Sequence, residues 1–304
     1  MKTITLGNGT TMRFRYLPPD TFRMGQRGVD ADEEPVHRVR IERGFWMAET
    51  AVTQAQFAAF KEDHKNHFAG KPLHPAESMS WHDAVAFCRW LTPKLPDGLL
   101  ACLPTEAEWE YACRAGTRSE YYSGDGEDAL KRVAWYGEHW GTGTHPVGSK
   151  GPESVNAFGL FDMHGNVWEW CFDQYDEYGY RTCLDNAADP WFKERDGFFC
   201  SEPSTEPRTT PRRIMRGGAW TVPLDQCHAA VRNWGVQVYA AAFVGFRLAL
   251  VPGPQDNLGV RSPKEKSGAE DQSRRRRPER SEAIDDGCGG NGRSGARKQK
   301  NTTE

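Results

Sequence analysis

The residues of this 304-residue chain with chemistry to offer are its thiols, its imidazoles and a few closely spaced oxygen donors. Eight cysteines stand at 88, 102, 113, 171, 183, 200, 227 and 288, and the closest pair, Cys102 and Cys113, is eleven apart. That spacing offers neither a C-x-x-C pair nor a zinc-type cluster. Cys227 and His228 are adjacent, a pairing that can bind a metal or make a nucleophile. Neighbours on a strand point to opposite faces, which favours instead a buried thiol acting as a small hydrophobe. The nine histidines show no H-x-x-x-H on a helix face; His64 and His67 lie only three apart. Asn166 and Glu169 set two side-chain oxygens three residues apart with carbonyls between, a pattern suited to a hard cation such as Ca²⁺. The alternative is that both side chains hydrogen-bond loop backbone. Finally, Trp234–Phe243 is small, apolar and aromatic, and reads either as a binding loop or as a loop packed on the core.

These residues need a frame. Alternation at Met12-Phe14-Tyr16, Phe22-Met24 and Val36-Val39-Ile41 predicts strands. Three helices are predicted by their caps: Thr53 with Gln56 in the capping-box position, Ser80 ahead of a helix that ends before Pro93, and Thr105 with Glu108, stopped at Gly116. In the second helix Ala84, Phe87, Cys88 and Leu91 recur at three and four and should face inward. From Gly116 to Arg213 periodicity is weak but aromatic density is high, which predicts long loops wrapped on a core. Strand character returns at Ile214–Trp220 and Val244–Leu250, so the two ends of the domain are expected to meet in one sheet.

All 35 aromatic residues precede Val251, and the last 53 residues have none. Such a stretch cannot bury enough apolar surface to offset its ordering entropy. The expected organisation is a folded domain over 1–251 and a charged, disordered tail over 252–304. The folded part is net acidic, with 27 basic against 33 acidic residues, so nucleic acid is not expected as its ligand. The run Arg274-Arg275-Arg276-Arg277 reads as part of the solvated tail. With no apolar leader and no run of about 18 apolar residues, neither membrane nor export is expected, and the expected location is cytoplasmic.

Several segments, in order over residues 22–249, resemble the formylglycine-generating-enzyme (sulfatase-modifying-factor) family. They include Phe22-Arg23-Met24-Gly25, Glu49-Thr50-Ala51-Val52-Thr53, Leu103-Pro104-Thr105-Glu106-Ala107-Glu108-Trp109, Asn156-Ala157-Phe158-Gly159-Leu160, Gly165-Asn166-Val167-Trp168-Glu169-Trp170, Arg216-Gly217-Gly218-Ala219-Trp220 and Gly245-Phe246-Arg247-Leu248. The resemblance implies an α+β, C-type-lectin-like fold: a small twisted antiparallel sheet with two or three helices and little other regular structure. It also implies a structural calcium ion held by Asn166 and Glu169. A second calcium site of some members is not carried over, because Val133-Ala134-Trp135-Tyr136 lacks the asparagine.

Members that oxidise a substrate cysteine to formylglycine hold copper on two cysteines five positions apart. Here Cys227 is followed five positions later by Arg232, and no two cysteines in the chain have that separation, so copper is not supported. Iron-dependent sulfoxide synthases of the same superfamily draw their histidines from an extra N-terminal domain that this sequence does not show. Three readings follow: a calcium-stabilised binding or accessory module, a formylglycine-forming oxidase, and a divergent metal-dependent oxidoreductase using Cys227, His228 or Trp220. Lectin-like relatives with hypervariable ligand-binding loops place them in the region of 234–243. The candidate ligand-binding residues are accordingly Trp220, Arg232, Trp234, Tyr239 and Phe243, for a protein or small-molecule partner.

Overall fold

The computed structural model describes residues 1–96, 98–183, 185–188 and 211–253. Of the expected tail, everything from residue 254 lies outside the described residues, as do Cys200 and Cys288. Among the described residues, strands β1 (Lys2–Thr5), β2 (Thr11–Leu17), β3 (Asp20–Met24), β4 (His37–Ile41), β5 (Phe45–Ala48), β6 (Leu99–Cys102), β7 (Trp168–Gln174), β8 (Ala187–Ala188), β9 (Arg212–Arg216), β10 (Asn233–Val236), β11 (Val244–Gly245) and β12 (Ala249–Pro252) form three sheets. The largest runs β1-β2-β5-β12-β6, with Ala249 opposite both Met47 and Cys102. The two ends of the domain thus share one antiparallel sheet, as their strand patterns predict. The second sheet runs β10-β9-β7-β11 and the third β3-β4-β8.

Three capping boxes set the helices α1 (Gln54–Ala58), α2 (Trp81–Leu91) and α3 (Glu106–Arg114), with Thr53, Ser80 and Thr105 each accepting from the backbone N–H three residues on. Each such cap contributes about 1 kcal/mol. Ala84, Phe87, Cys88 and Leu91 are fully buried, as their spacing predicts. At the end of α3 the left-handed residue is Ala115, with φ of 45°, and Gly116 follows it. The aperiodic middle region holds more regular structure than its sequence suggests. It contains α4 (Glu127–Val133), the single turn α5 (Gly179–Thr182) and β7, a central strand of the second sheet. The reason β7 reads poorly is that Trp168 through Asp173 are buried on both faces, so nothing alternates.

Trp81, Trp109, Trp168, Trp170 and Trp220 are among the largest wholly buried side chains. Burying an indole demands a partner for its N–H. Trp81 Nε1 donates to the Cys171 carbonyl at 2.9 Å, Trp170 Nε1 to the Met79 carbonyl at 2.8 Å and Trp109 Nε1 to Glu169 at 2.8 Å. These bonds tie α2 and α3 to β7, and that fixes the walls of the site below. Among the described residues no helix is long and apolar enough to cross a membrane.

Candidate functional site: a cavity on a buried ionic network

Helix α3 carries Glu106, Glu110 and Arg114 at four-residue spacing, and all three side chains are buried. Buried charges must be paired. Glu110 accepts from Arg114 Nε at 2.8 Å, from the Gly25 N–H at 2.9 Å and from Arg216 Nη2 on β9 in a short contact. Burial pushes the Glu110 carboxyl up, but Arg114 and Arg216 together hold it below its ordinary range. Arg216 also donates to the carbonyls of Ala229, Ala230 and Val231, which pins the segment that follows Cys227.

Glu106 receives a fork from Arg232, Nε to Oε1 at 2.8 Å and Nη2 to Oε2 at 3.1 Å, and accepts from the Tyr180 hydroxyl at 3.1 Å. The planar guanidinium suits this bidentate geometry. The Arg232 side chain is only 2% exposed and lies over the Tyr180 and Tyr175 rings at 4.3 and 5.1 Å.

Arg232, Glu106 and Tyr180, with Met24, Val39 and Ala107, line a cavity of about 370 Å³. Its size suits a small molecule or one inserted side chain. Its wall is mostly apolar, and Arg232, Glu106 and the Tyr180 hydroxyl are already bonded to one another. Beside it, Trp234 is 39% exposed, packs on Tyr175 and is covered by Arg212 at 3.9 Å.

The sequence-predicted residues divide. Trp234 and Tyr239 are exposed, and Gly235 between them packs on Trp170 and Tyr239. Backbone bonds from Ser78 to Ala241, Trp81 to Gln237 and Trp168 to Phe243 hold the 234–243 segment firmly, so it is a fixed surface rather than a free loop. Arg232 reaches the cavity but is committed to Glu106. Trp220 is buried, between Phe68 at 5.6 Å and Trp140 at 5.4 Å, and Phe243 joins that aromatic group through Trp140 at 6.1 Å. Trp220 and Phe243 therefore belong to a different aromatic group from Arg232 and Trp234.

Cys227 and His228 also part company. Cys227 is buried in an apolar cluster with Tyr121, Leu130 and Val133, and burial pushes its thiol up to about 12. His228 turns toward Glu33, with Nε2 3.6 Å from Oε1. Their neighbour His164 is fixed as well: Nδ1 donates to the Cys227 carbonyl at 2.7 Å while Nε2 accepts the Tyr122 N–H at 3.1 Å.

The expected cation ligands meet other partners. Glu169 accepts from Arg247 through Oε2 at 2.7 Å and Oε1 at 2.8 Å, and from Trp109 at Oε2. Asn166 takes φ of 63° and pairs its amide with both backbone groups of His145 at 3.1 Å. A divalent cation at Glu169 would sit against the Arg247 guanidinium, so this donor set does not fit Ca²⁺. The backbone-bonded alternative describes Asn166, and a buried ion pair describes Glu169. Among the described residues no three His, Cys, Asp or Glu side chains are grouped to hold a metal ion.

Sequence reasoning missed Glu33, Glu106, Glu110, Arg216, Tyr180 and Arg247 as a site. The available signal was the Glu106-Glu110-Arg114 stripe on a helix whose apolar residues must also be buried. Three ionic groups on such a helix require partners from elsewhere in the chain.

Residues 8–251 match the sulfatase-modifying factor enzyme 1-like domain, and the chain belongs to that family. It is similar to the formylglycine-generating enzyme of Streptomyces coelicolor, 28% identical over 77% of this chain and 87% of that enzyme. The formylglycine-generating enzyme of Mycobacterium tuberculosis is 27% identical, over 78% and 97% respectively. Among solved structures, Treponema denticola variable protein 1 matches with a TM-score of 0.67 and 26% identity, over 82% of this chain and 98% of that one. PvdO from Pseudomonas aeruginosa, at a TM-score of 0.64 and 24% identity, shares the fold over 82% of this chain and 97% of its own. The architecture is the C-type-lectin-like α+β fold of this family.

Proposed function

We propose that this domain is a binding or accessory module that keeps the family fold without paired-thiolate copper chemistry. The observation that carries the reading is the state of the two positions five residues apart. Cys227 is a wholly buried thiol, and position 232 is an arginine locked to Glu106. Cu(I) selects thiolates, and a thiol raised to about 12 is protonated at neutral pH. The ligand, a protein side chain or small molecule, enters the cavity beside Arg232. The role that the resemblance gives to calcium at 166–169 falls here to the Arg247–Glu169 pair.

The test is anaerobic Cu(I) titration of the full chain, with Cys227→Ala as control. The expected result is no stoichiometric binding that depends on Cys227. Tight one-to-one binding, lost in Cys227→Ala, would return the reading to the oxidase. That second reading draws support from the identity shared with formylglycine-generating enzymes over most of their length. Its own assay is oxygen uptake with a peptide bearing a sulfatase-type cysteine motif. Iron bound without copper would point to the divergent oxidoreductase.

A further inference from the structure

One buried acid–base pair takes no part in lining the cavity. Glu33 ends the 3-10 turn Ala31–Glu33 and is fully buried; His228 is 4% exposed, and Nε2 lies 3.6 Å from Glu33 Oε1. Among the described residues neither carboxyl oxygen and neither ring nitrogen has a hydrogen-bond partner, and nor does the buried Arg216 Nε. A buried polar group left unpaired loses its hydration without replacement, so a cluster of them is not a packing convenience. Charge counting restricts its state. Glu106, Glu110 and Asp32 already balance Arg114, Arg216 and Arg232, so the Glu33–His228 pair is accommodated only when it is neutral as a unit.

The same turn reaches the cavity wall. Arg232 Nη1 donates to the Asp32 carbonyl at 2.9 Å, and the Tyr175 hydroxyl donates to Asp32 Oδ2 at 2.9 Å. The Gln26 N–H bonds the Glu33 carbonyl at 3.3 Å, and Arg114 Nη2 bonds the Gly25 carbonyl at 3.1 Å. Gly25 has φ of 95°, and any Cβ there would strike the Glu33 carbonyl. The turn is therefore docked closely, through few bonds, and one of them orients the arginine that lines the cavity.

We propose that the turn Asp30–Glu33 is a proton-held latch on the cavity wall, docked while Glu33 and His228 together are neutral and released when their shared proton is lost. Its bearing on ligand binding rests on the cavity being the binding site; the latch itself does not. Loss of the proton leaves a buried carboxylate facing Asp30 and Asp32 on its own turn and Glu110 on α3. Arg216 on β9 attracts it but is already engaged with Glu110 and three carbonyls. His228 faces Arg216, Arg114, Glu110 and Asp225, and the buried His164 lies near enough to interact with it. Burial pushes Glu33 up to about 8 and His228 down to about 4, so release falls on the alkaline side.

The test is amide hydrogen exchange of the full chain from pH 6 to 9.5, read on peptides spanning residues 24–36 and divided by the rate of the unfolded chain at each pH. Wild-type protection should fall from about pH 6.5, by up to about tenfold per pH unit (the limit for one proton), and level off above about pH 8, while β12 stays protected. In Glu33→Gln the proton is absent from the titration, and protection should stay flat throughout. Wild-type protection that does not change up to pH 9.5, or a Glu33→Gln turn that loosens like the wild type, overturns the latch. If Glu33→Gln does not fold, carboxyl ¹³C titration of the wild type decides: a Glu33 midpoint above 7 supports the latch, and one below overturns it. Neither readout uses a ligand, so failure of the latch and failure of the binding reading are told apart.

Discussion

Two buried acid–base pairs in this domain have opposite characters. Glu169 and Arg247 form a fork in which each carboxylate oxygen has a donor, and Arg247 Nη1 and Nη2 also bond the carbonyls of Ala48, Glu49 and Phe161. Against burial, Glu169 holds the Arg247 guanidinium above its ordinary range, so the pair is charged and permanent. Glu33 and His228 are buried as deeply but lie 3.6 Å apart, and among the described residues none of their side-chain nitrogens and oxygens has a hydrogen-bond partner. A satisfied pair specifies structure. An unsatisfied one is poised to change its proton count.

The largest effect should come from breaking the satisfied pair. Arg247→Met leaves a buried carboxylate with only Trp109, and should cost about 3–5 kcal/mol in urea unfolding. A loss under 1 kcal/mol would mean that Glu169 has another partner, a bound cation above all. The next effect is a pH dependence. Glu33 is held above its ordinary 4.5, so its contribution is complete below 4.5 and is lost as the pH rises toward 8. His228 is held below its ordinary 6.5, so its contribution is complete above 6.5 and is lost as the pH falls toward 4. From 4.5 to 6.5 the two oppose each other; from 6.5 to 8 only Glu33 acts, and stability should fall by up to roughly 1.4 kcal/mol per pH unit. Glu33→Gln should flatten that upper slope, and a slope as steep as the wild type's would remove Glu33 as its source.

Thr105→Ala, which deletes the cap of the helix bearing Glu106 and Glu110, should cost about 1 kcal/mol. Tyr239→Ala, at an exposed position of the 234–243 segment, should stay within about 0.5 kcal/mol in stability. A loss well beyond that would make the residue part of the core instead of the binding surface. The smallest expected shift is with metal. Excess Ca²⁺ or a chelator should move the melting temperature by less than about 1 °C, because Glu169 is committed to Arg247. A rise of several degrees, abolished in Glu169→Gln, would restore the calcium reading by ligand linkage.

Much of the frame was legible in the chain. The capping boxes at Thr53 and Thr105, the cap at Ser80 and the inward face of α2 are local, since each depends on residues within one or two turns. β7 was hidden because a strand buried on both sides has no alternation to read. The site was hidden for a different reason. Asn166 and Glu169 have the spacing of a cation site, but spacing fixes only what a segment can offer, and what meets it came from His145, Trp109 and Arg247.

By itself, then, the sequence determined the family, the caps and the lack of a thiol pair five residues apart, all properties of composition and short-range order. Only the tertiary structure decided which charges meet. Glu33 lies 195 positions from His228, Glu106 126 from Arg232 and Glu169 78 from Arg247. Ion pairing depends on distance and desolvation, and across such separations both are set by the packing of the sheets and not by the order of the residues.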